Sequence, residues 1–81
     1  MSTESDHRER SKIQVAVVGA GYWGKNLVRN FAGLGSLAAI CDNEAERLAS
    51  FGTQHPGVKL VRAYPEVLRD ETIQAVAIAT P

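Results

Sequence analysis

The chain has 81 residues and a mass of 8.7 kDa, which allows one small domain at most. Its 9 Lys and Arg residues balance 9 Asp and Glu residues, which argues against binding to nucleic acid or to a membrane surface. The apolar runs are far shorter than the roughly 18 residues that a membrane-spanning helix requires. A single cysteine excludes an internal disulfide and a multi-cysteine zinc site, so no metal ligands are assigned and a reduced, cytoplasmic setting is predicted.

The N-terminal segment differs in character from the rest of the chain. Residues 1–12 carry three acidic and three basic side chains, and Met1 is their only apolar residue. Such a segment cannot bury enough surface to offset the entropy that it loses on ordering, so a disordered tail is predicted. The alternative, a docking arm, would need an excess of one charge, which this count lacks.

From Ile13 onward, apolar β-branched runs alternate with amphipathic stretches. Strands are predicted at residues 13–18, 36–41, 58–61 and 73–79, with a helix in each interval. This alternation is typical of right-handed crossovers and of an α/β fold with a parallel sheet, in the strand order 3-2-1-4. A complete sheet of this kind has six strands, so residues 13–81 are interpreted as the N-terminal portion of a larger domain.

Apolar spacing and end signals define the three predicted helices. Asp42 or Asn43 is expected to cap the second helix, and Gly52 and Pro56 to end it. Pro65 stands where a first-turn proline belongs in the third helix. The positions predicted to face inward are Leu27, Val28, Phe31, Leu34, Ala45, Leu48, Ala49, Val67 and Leu68.

Three glycines form the pattern G-x-G-x-x-G between the first strand and the first helix. Gly19 would permit the tight turn, Gly21 lacks the Cβ that would block a pyrophosphate, and Gly24 lets the helix approach the strand. The free N–H groups around Tyr22 and Trp23 would face phosphates at the positive end of the helix dipole. A glycine turn without a ligand is the alternative, but the strand–turn–helix context favours dinucleotide binding.

Asp42 ends the second strand, 18 residues after Gly24, near the roughly 20 expected for a carboxylate that binds the adenosine ribose. The alternative is that Asp42 only caps the next helix, a role that Asn43 could also take. A 2′-phosphate 4 Å from this carboxylate would cost roughly 4 kcal/mol at an effective dielectric of 20. The first arginine that follows, Arg47, is a full helical turn away, so NAD is favoured over NADP.

The segments VAVVGAGYWGKNLVRNF, AAICD and AVAIATP resemble the N-terminal part of the Gfo/Idh/MocA oxidoreductases, the glucose–fructose oxidoreductase and inositol dehydrogenase family. The resemblance covers residues 13–81 and implies a Rossmann-type NAD-binding domain, which that family joins to a C-terminal α/β substrate domain absent from this chain. Asp42 would hold the adenosine ribose, with Asn43 beside it. The remaining cofactor contacts implied by position are Gly19, Gly21, Tyr22, Trp23, Gly24 and, toward the nicotinamide, Thr80.

The resemblance also implies a reaction, namely hydride transfer between nicotinamide and the hydroxyl-bearing carbon of a sugar, a nucleotide-linked sugar or a cyclitol. The family's Glu-Lys-Pro segment and later histidine are not in this sequence, so no catalytic residue is identified and the chain alone is expected to be inactive. A small-molecule sugar substrate and a homo-oligomer are expected for the intact protein. Two alternatives remain open, a non-catalytic NAD-sensing domain of a regulator and a flavin-binding domain.

Overall fold

A computed structural model describes residues 13–21 and 24–79 of the chain. Strands and helices alternate along these residues, and the predicted tail, residues 1–12, lies outside them. In chain order the elements are β1 (Val15–Val18), α1 (Gly24–Gly33), β2 (Leu37–Cys41), α2 (Ala45–Gln54), β3 (Lys59–Val61), α3 (Tyr64–Arg69) and β4 (Ala75–Ile78). Across the described ranges, no helix combines the length and the apolar character needed to span a bilayer.

The strands form one parallel sheet in the order β3-β2-β1-β4, which confirms the predicted α/β topology. β1 lies between β2 and β4, and its residue Val17 is paired with Ile40 on one side and Ala77 on the other. Because the strands are parallel, the segments that follow them meet at one edge of the sheet.

Helices pack on both faces of this sheet. Neighbouring strand residues point to opposite faces, so Ala16 and Val17 belong to different core clusters. One cluster contains the inward side chains of α1 and α2, namely Val28, Leu48 and Phe51 with strand residues Val17 and Ile40. The other contains Val67 of α3 packed on Ala16, Ala39 and Cys41.

Several predicted inward positions are wrong. Leu34 is 67% exposed because α1 ends at Gly33, and Leu68 is 64% exposed because the short α3 buries only Val67. Ala45 and Ala49 of α2 are also exposed. The larger apolar side chains Leu48 and Phe51 occupy the buried face of α2 instead, since they remove more apolar surface from water.

The predicted N-cap of α2 and its predicted end at Gly52 are wrong, whereas the helix does end at Gln54, two residues before Pro56. Its N-cap residue is Glu44, without a side-chain capping bond, so neither Asp42 nor Asn43 caps this helix. Gly52 lies inside α2, where a Cβ would sit 2.7 Å from Leu60 Cδ1, so this glycine serves close packing against β3. By contrast, Pro65 lies in the first turn of α3 as predicted.

Candidate functional site

The candidate site lies where the carboxyl ends of β1 and β2 meet. The backbone N–H of Gly19 donates to the Cys41 carbonyl at 2.8 Å, which continues the pairing of the two strands to the edge of the sheet. Beyond this bond the chain turns into α1 on one side and α2 on the other. The two turns form the walls of the site.

The turn after β1 needs glycine at two positions for reasons of backbone geometry. Gly19 has φ +85°, in the left-handed region that other residues rarely adopt. A Cβ on Gly24 would overlap the carbonyl oxygen of Gly19, so only glycine allows α1 to begin this close to β1. These are the tight turn and the close approach that the sequence pattern predicts.

Gly21 is different, because packing of the described residues does not require it. Its φ is not in the left-handed region, and an added Cβ would meet no described atom within 4 Å beyond its chain neighbours. Gly21 is one of the residues that line a cavity of about 420 Å³ between this turn and α2. The cavity is lined by Ala20, Gly21, Lys25, Arg47, Ser50, Phe51 and Gln54.

Asp42 lies at the end of β2, and its side chain is 3% exposed. Oδ2 accepts a hydrogen bond from the backbone N–H of Ala20, and Oδ1 accepts one from the backbone N–H of Glu44, each at 2.9 Å. The Arg47 guanidinium donates through Nη1 to both oxygens, at 3.0 Å and 2.9 Å. The carboxylate thus joins three separate parts of the site.

These contacts keep Asp42 ionised. Burial acts to raise the pKa of this carboxyl, but the hydrogen bonds from Arg47 and from two backbone N–H groups outweigh it and lower the pKa below its ordinary value. The hydrogen bond to Asp42 in turn raises the pKa of Arg47. The site therefore contains a charged pair at neutral pH.

The contact with Arg47 corrects the sequence-based interpretation of this residue, which treated it as remote from Asp42. α2 begins at Ala45, so Arg47 lies in its first turn. Side chains on a helix tilt toward its N-terminus, and the long Arg47 side chain therefore reaches back to the end of β2. The five-residue spacing between Asp42 and Arg47 indicates this contact only when the start of α2 is placed at Ala45.

The remaining predicted site residues fall into two groups. Asn43 is exposed at the same edge, beside Asp42. Tyr22, Trp23 and Thr80 lie outside the described residues. The residue before Thr80, Ala79, donates its N–H to the Val18 carbonyl at 2.9 Å, so the end of β4 arrives at the same edge.

The comparisons with known proteins are consistent with this site. Residues 13–81 match the GFO_IDH_MocA family, described as an oxidoreductase family with an NAD-binding Rossmann fold. A crystal structure of an NAD-binding protein from Listeria innocua is similar, with a TM-score of 0.71 and 33% sequence identity. The similarity covers 88% of this chain and 21% of that one, so this chain spans about a fifth of its length. No curated protein matches the chain.

Proposed function

This chain belongs to the GFO_IDH_MocA oxidoreductase family, and we propose that it is the NAD-binding front of an enzyme acting on a small sugar, nucleotide-linked sugar or cyclitol. The reaction would be hydride transfer between nicotinamide and a hydroxyl-bearing carbon. The proposal that the chain binds NAD rests on one observation. Gly21, beside which a Cβ would meet no described atom, lines the same cavity as Arg47, and Arg47 donates a hydrogen bond to the buried carboxylate of Asp42.

The residues of the turn fit a pyrophosphate. The turn of residues 19–21 leads into α1, whose N-terminus carries the positive end of the helix dipole. Without a Cβ on Gly21, phosphate oxygens could approach the backbone closely. The chain's contribution here is binding and orientation, while the bound nicotinamide supplies the hydride chemistry.

Asp42 fits the adenosine ribose. An ionised carboxylate is an acceptor only, so it suits the two donating hydroxyls of an unphosphorylated ribose. Its depressed pKa keeps it in this form. We therefore assign NAD as the preferred cofactor, with Asp42 and the adjacent Asn43 at the ribose and Thr80 toward the nicotinamide.

The sugar substrate and the catalytic groups are proposed from the family alone, without residues assigned to them in this chain. The residues of the candidate site are assigned to the cofactor only, and no described residue is assigned to sugar binding, catalysis or homo-oligomer formation, which are expected of the intact protein. We expect the 81 residues alone to lack dehydrogenase activity for this reason.

A pair of glycine variants tests the proposed nucleotide site. Gly21→Val fills the space reserved for the pyrophosphate, whereas Gly33→Val adds the same side chain at the far end of α1, where a Cβ also meets no described atom. Calorimetric titration with NADH should show loss of binding in the first variant and wild-type affinity in the second. Circular dichroism checks that both variants fold, and the absorbance spectrum of the purified protein tests for bound flavin. A folded Gly21→Val protein with wild-type affinity would refute the assignment.

A further inference from the structure

We propose that an apolar groove on the α1 face of the sheet is the docking site of a helix from the part of the intact protein beyond residue 81. The groove has a volume of about 430 Å³ and lies toward the amino ends of β1 and β4. The candidate nucleotide site lies at the opposite edge of the sheet, where the carboxyl ends of the strands meet. The groove is therefore a separate surface, and the proposed function does not use it.

Small side chains form the floor of the groove. Ala75 and Ala77 of β4 are the register partners of Val15 and Val17 of β1. Paired residues of parallel strands point to the same face, so both alanines face the side on which α1 packs. Phe31 of α1 forms a wall beside them. Because alanine extends less far from the sheet than valine, the groove leaves room for a second helix alongside α1.

The surface of the groove is apolar and uncharged. Ile13 is 51% exposed, and Ala75 is exposed as well. The polar lining residue, Ser36, has its backbone N–H bonded to the Phe31 carbonyl at 2.9 Å, and its carbonyl accepts the Val15 N–H at 2.8 Å. Contiguous apolar surface of this kind marks a contact site, and permanent contacts are more apolar than transient ones. The occupant that fits is an apolar helix that remains bound.

The connection that follows β4 would not supply this helix. α1 and α2 connect strands in the direction of β3 and pack on one face, whereas α3 connects β3 back to β4 and packs on the other. Because crossovers between parallel strands are right-handed, a helix leading from β4 to a strand beyond it would lie on the α3 face. Such a crossover leaves the groove on the α1 face open.

Two observations favour a later segment of the same protein as the occupant. Residues 1–12 directly precede Ile13, but Met1 is their only apolar residue, so they lack the side chains that an apolar groove would bind. This chain corresponds to about a fifth of the length of the similar structure, so most of that protein lies outside the matched region. We therefore assign the groove to a helix of the corresponding remainder of the intact protein.

Thiol protection in the intact protein tests whether the groove is covered. Ala75→Cys places a thiol on its floor, and Ala49→Cys makes the same change at an exposed alanine of α2. The thiol at position 75 should react with N-ethylmaleimide about tenfold more slowly than the one at position 49, because it becomes accessible only when the docked helix opens. The unsubstituted protein, in which Cys41 is buried, gives the background rate. Equal rates in the two variants would overturn the docking.

Photo-cross-linking identifies the occupant. p-Benzoylphenylalanine in place of Phe31 keeps an aromatic ring in the wall of the groove, and mass spectrometry after illumination locates the attachment. A mixture of isotopically labelled and unlabelled protein separates contacts within a chain from contacts between copies. We expect attachment within one chain, to a helix beyond the first strand that follows β4. Attachment to residues 1–12, to the connection directly after β4 or to a second copy would overturn the assigned occupant.

Two controls complete the experiment. The same photoreactive residue in place of the exposed Ala49 should attach elsewhere, and a folded Phe31 derivative that attaches no more than this control would also overturn the docking. Neither Ala75 nor Ala49 lines the nucleotide cavity, so both cysteine variants should retain the wild-type affinity for NADH and the wild-type melting temperature. A protein with a protected thiol and the expected attachment that does not bind NADH would support the docking and overturn the proposed function alone.

Discussion

The backbone N–H of Ala20 donates a hydrogen bond of 2.9 Å to Oδ2 of Asp42, although the two residues are 22 positions apart in the chain. This bond ties the turn after β1 to the turn after β2, and it lies in a buried part of the site. The carboxylate that is the candidate ribose ligand is therefore also a structural link. Its removal is expected to affect stability as well as binding.

Asp42→Ala should lower the free energy of unfolding by about 1–3 kcal/mol, because it leaves the N–H groups of Ala20 and Glu44 without their acceptor. Urea denaturation would measure this loss. Asn43→Ala, a change at the exposed neighbouring residue, should stay within about 0.5 kcal/mol of the wild type. Equal stability of the two variants would show that the Asp42 carboxylate does not link the turns.

Stability should also decline at acid pH. The hydrogen bonds that Asp42 accepts lower its pKa below the ordinary value, and the Lys59 ammonium and the Thr72 hydroxyl and N–H lower the pKa of Asp70 to about 2. A pKa depressed in the folded state adds stability that is complete above the unfolded value and is lost as the pH falls through the folded one. The melting temperature should therefore drop between about pH 4 and pH 2. The double variant Asp42→Asn, Asp70→Asn should have a shallower dependence, and an unchanged slope would contradict the assignment.

Two helix glycines should respond differently to alanine. At Gly24, the new Cβ would overlap the Gly19 carbonyl, which is backbone and cannot yield without moving α1. We expect Gly24→Ala to lower the free energy of unfolding by about 1–3 kcal/mol. At Gly52, the Cβ would meet Cδ1 of Leu60, the flexible end of a side chain, and alanine favours a helix over glycine by about 1 kcal/mol. Gly52→Ala should thus remain within about 1 kcal/mol of the wild type in the same denaturation assay. Similar losses in both variants would refute this distinction.

The fold could be predicted from the sequence because its signals are local. The apolar runs, the glycine motif and Pro65 each mark an element or its end within a few residues, and the alternation of elements limits the topology. The exposure of Leu34 and Leu68 could not be predicted in this way. It depends on which residues of each helix contact the sheet, which is a property of the packed chain and not of the apolar spacing.

The candidate site could also be predicted only where its signals are local in the sequence. The geometry of Gly19 and Gly24 follows from a pattern of six residues, and the position of Asp42 follows from the length of one crossover. The contact between Arg47 and Asp42 depends on the first residue of α2 and on a side-chain conformation. No motif encodes the first residue of α2 or the conformation of the Arg47 side chain. The sequence-based argument for NAD over NADP therefore did not include the positive charge of Arg47 beside Asp42.

The preference for NAD over NADP should accordingly be modest. A bare carboxylate 4 Å from a 2′-phosphate would disfavour NADP by roughly 4 kcal/mol at an effective dielectric of 20. Because Arg47 offsets part of this repulsion, we expect NADH to bind about tenfold more tightly, a difference of about 1.4 kcal/mol. In Asp42→Ala, calorimetric titration with both nucleotides should show affinities for NADH and NADPH that are closer to each other than in the wild type. A wild-type preference for NADPH would contradict the assigned cofactor.

The open edge of β4 leads to the last prediction. In the described residues β4 pairs only with β1, its side chains carry no charge, and Ile78 is 60% exposed. Such an apolar edge can pair with another chain, and a domain this small has little buried core to oppose rearrangement. We expect residues 1–81, expressed alone, to self-associate in light scattering and to bind NADH weakly.

Matched lysine variants of this same 81-residue chain identify the cause of the association. Ile78→Lys places a charge on β4, whereas Leu68→Lys replaces a similarly exposed apolar side chain, 64% exposed, on the helix α3. If the β4 edge drives association, only Ile78→Lys should shift the protein toward the monomer, because an edge charge opposes strand pairing. Equal effects of the two variants would point to general surface hydrophobicity instead. A monodisperse wild-type chain that unfolds cooperatively would show that the edge is already protected.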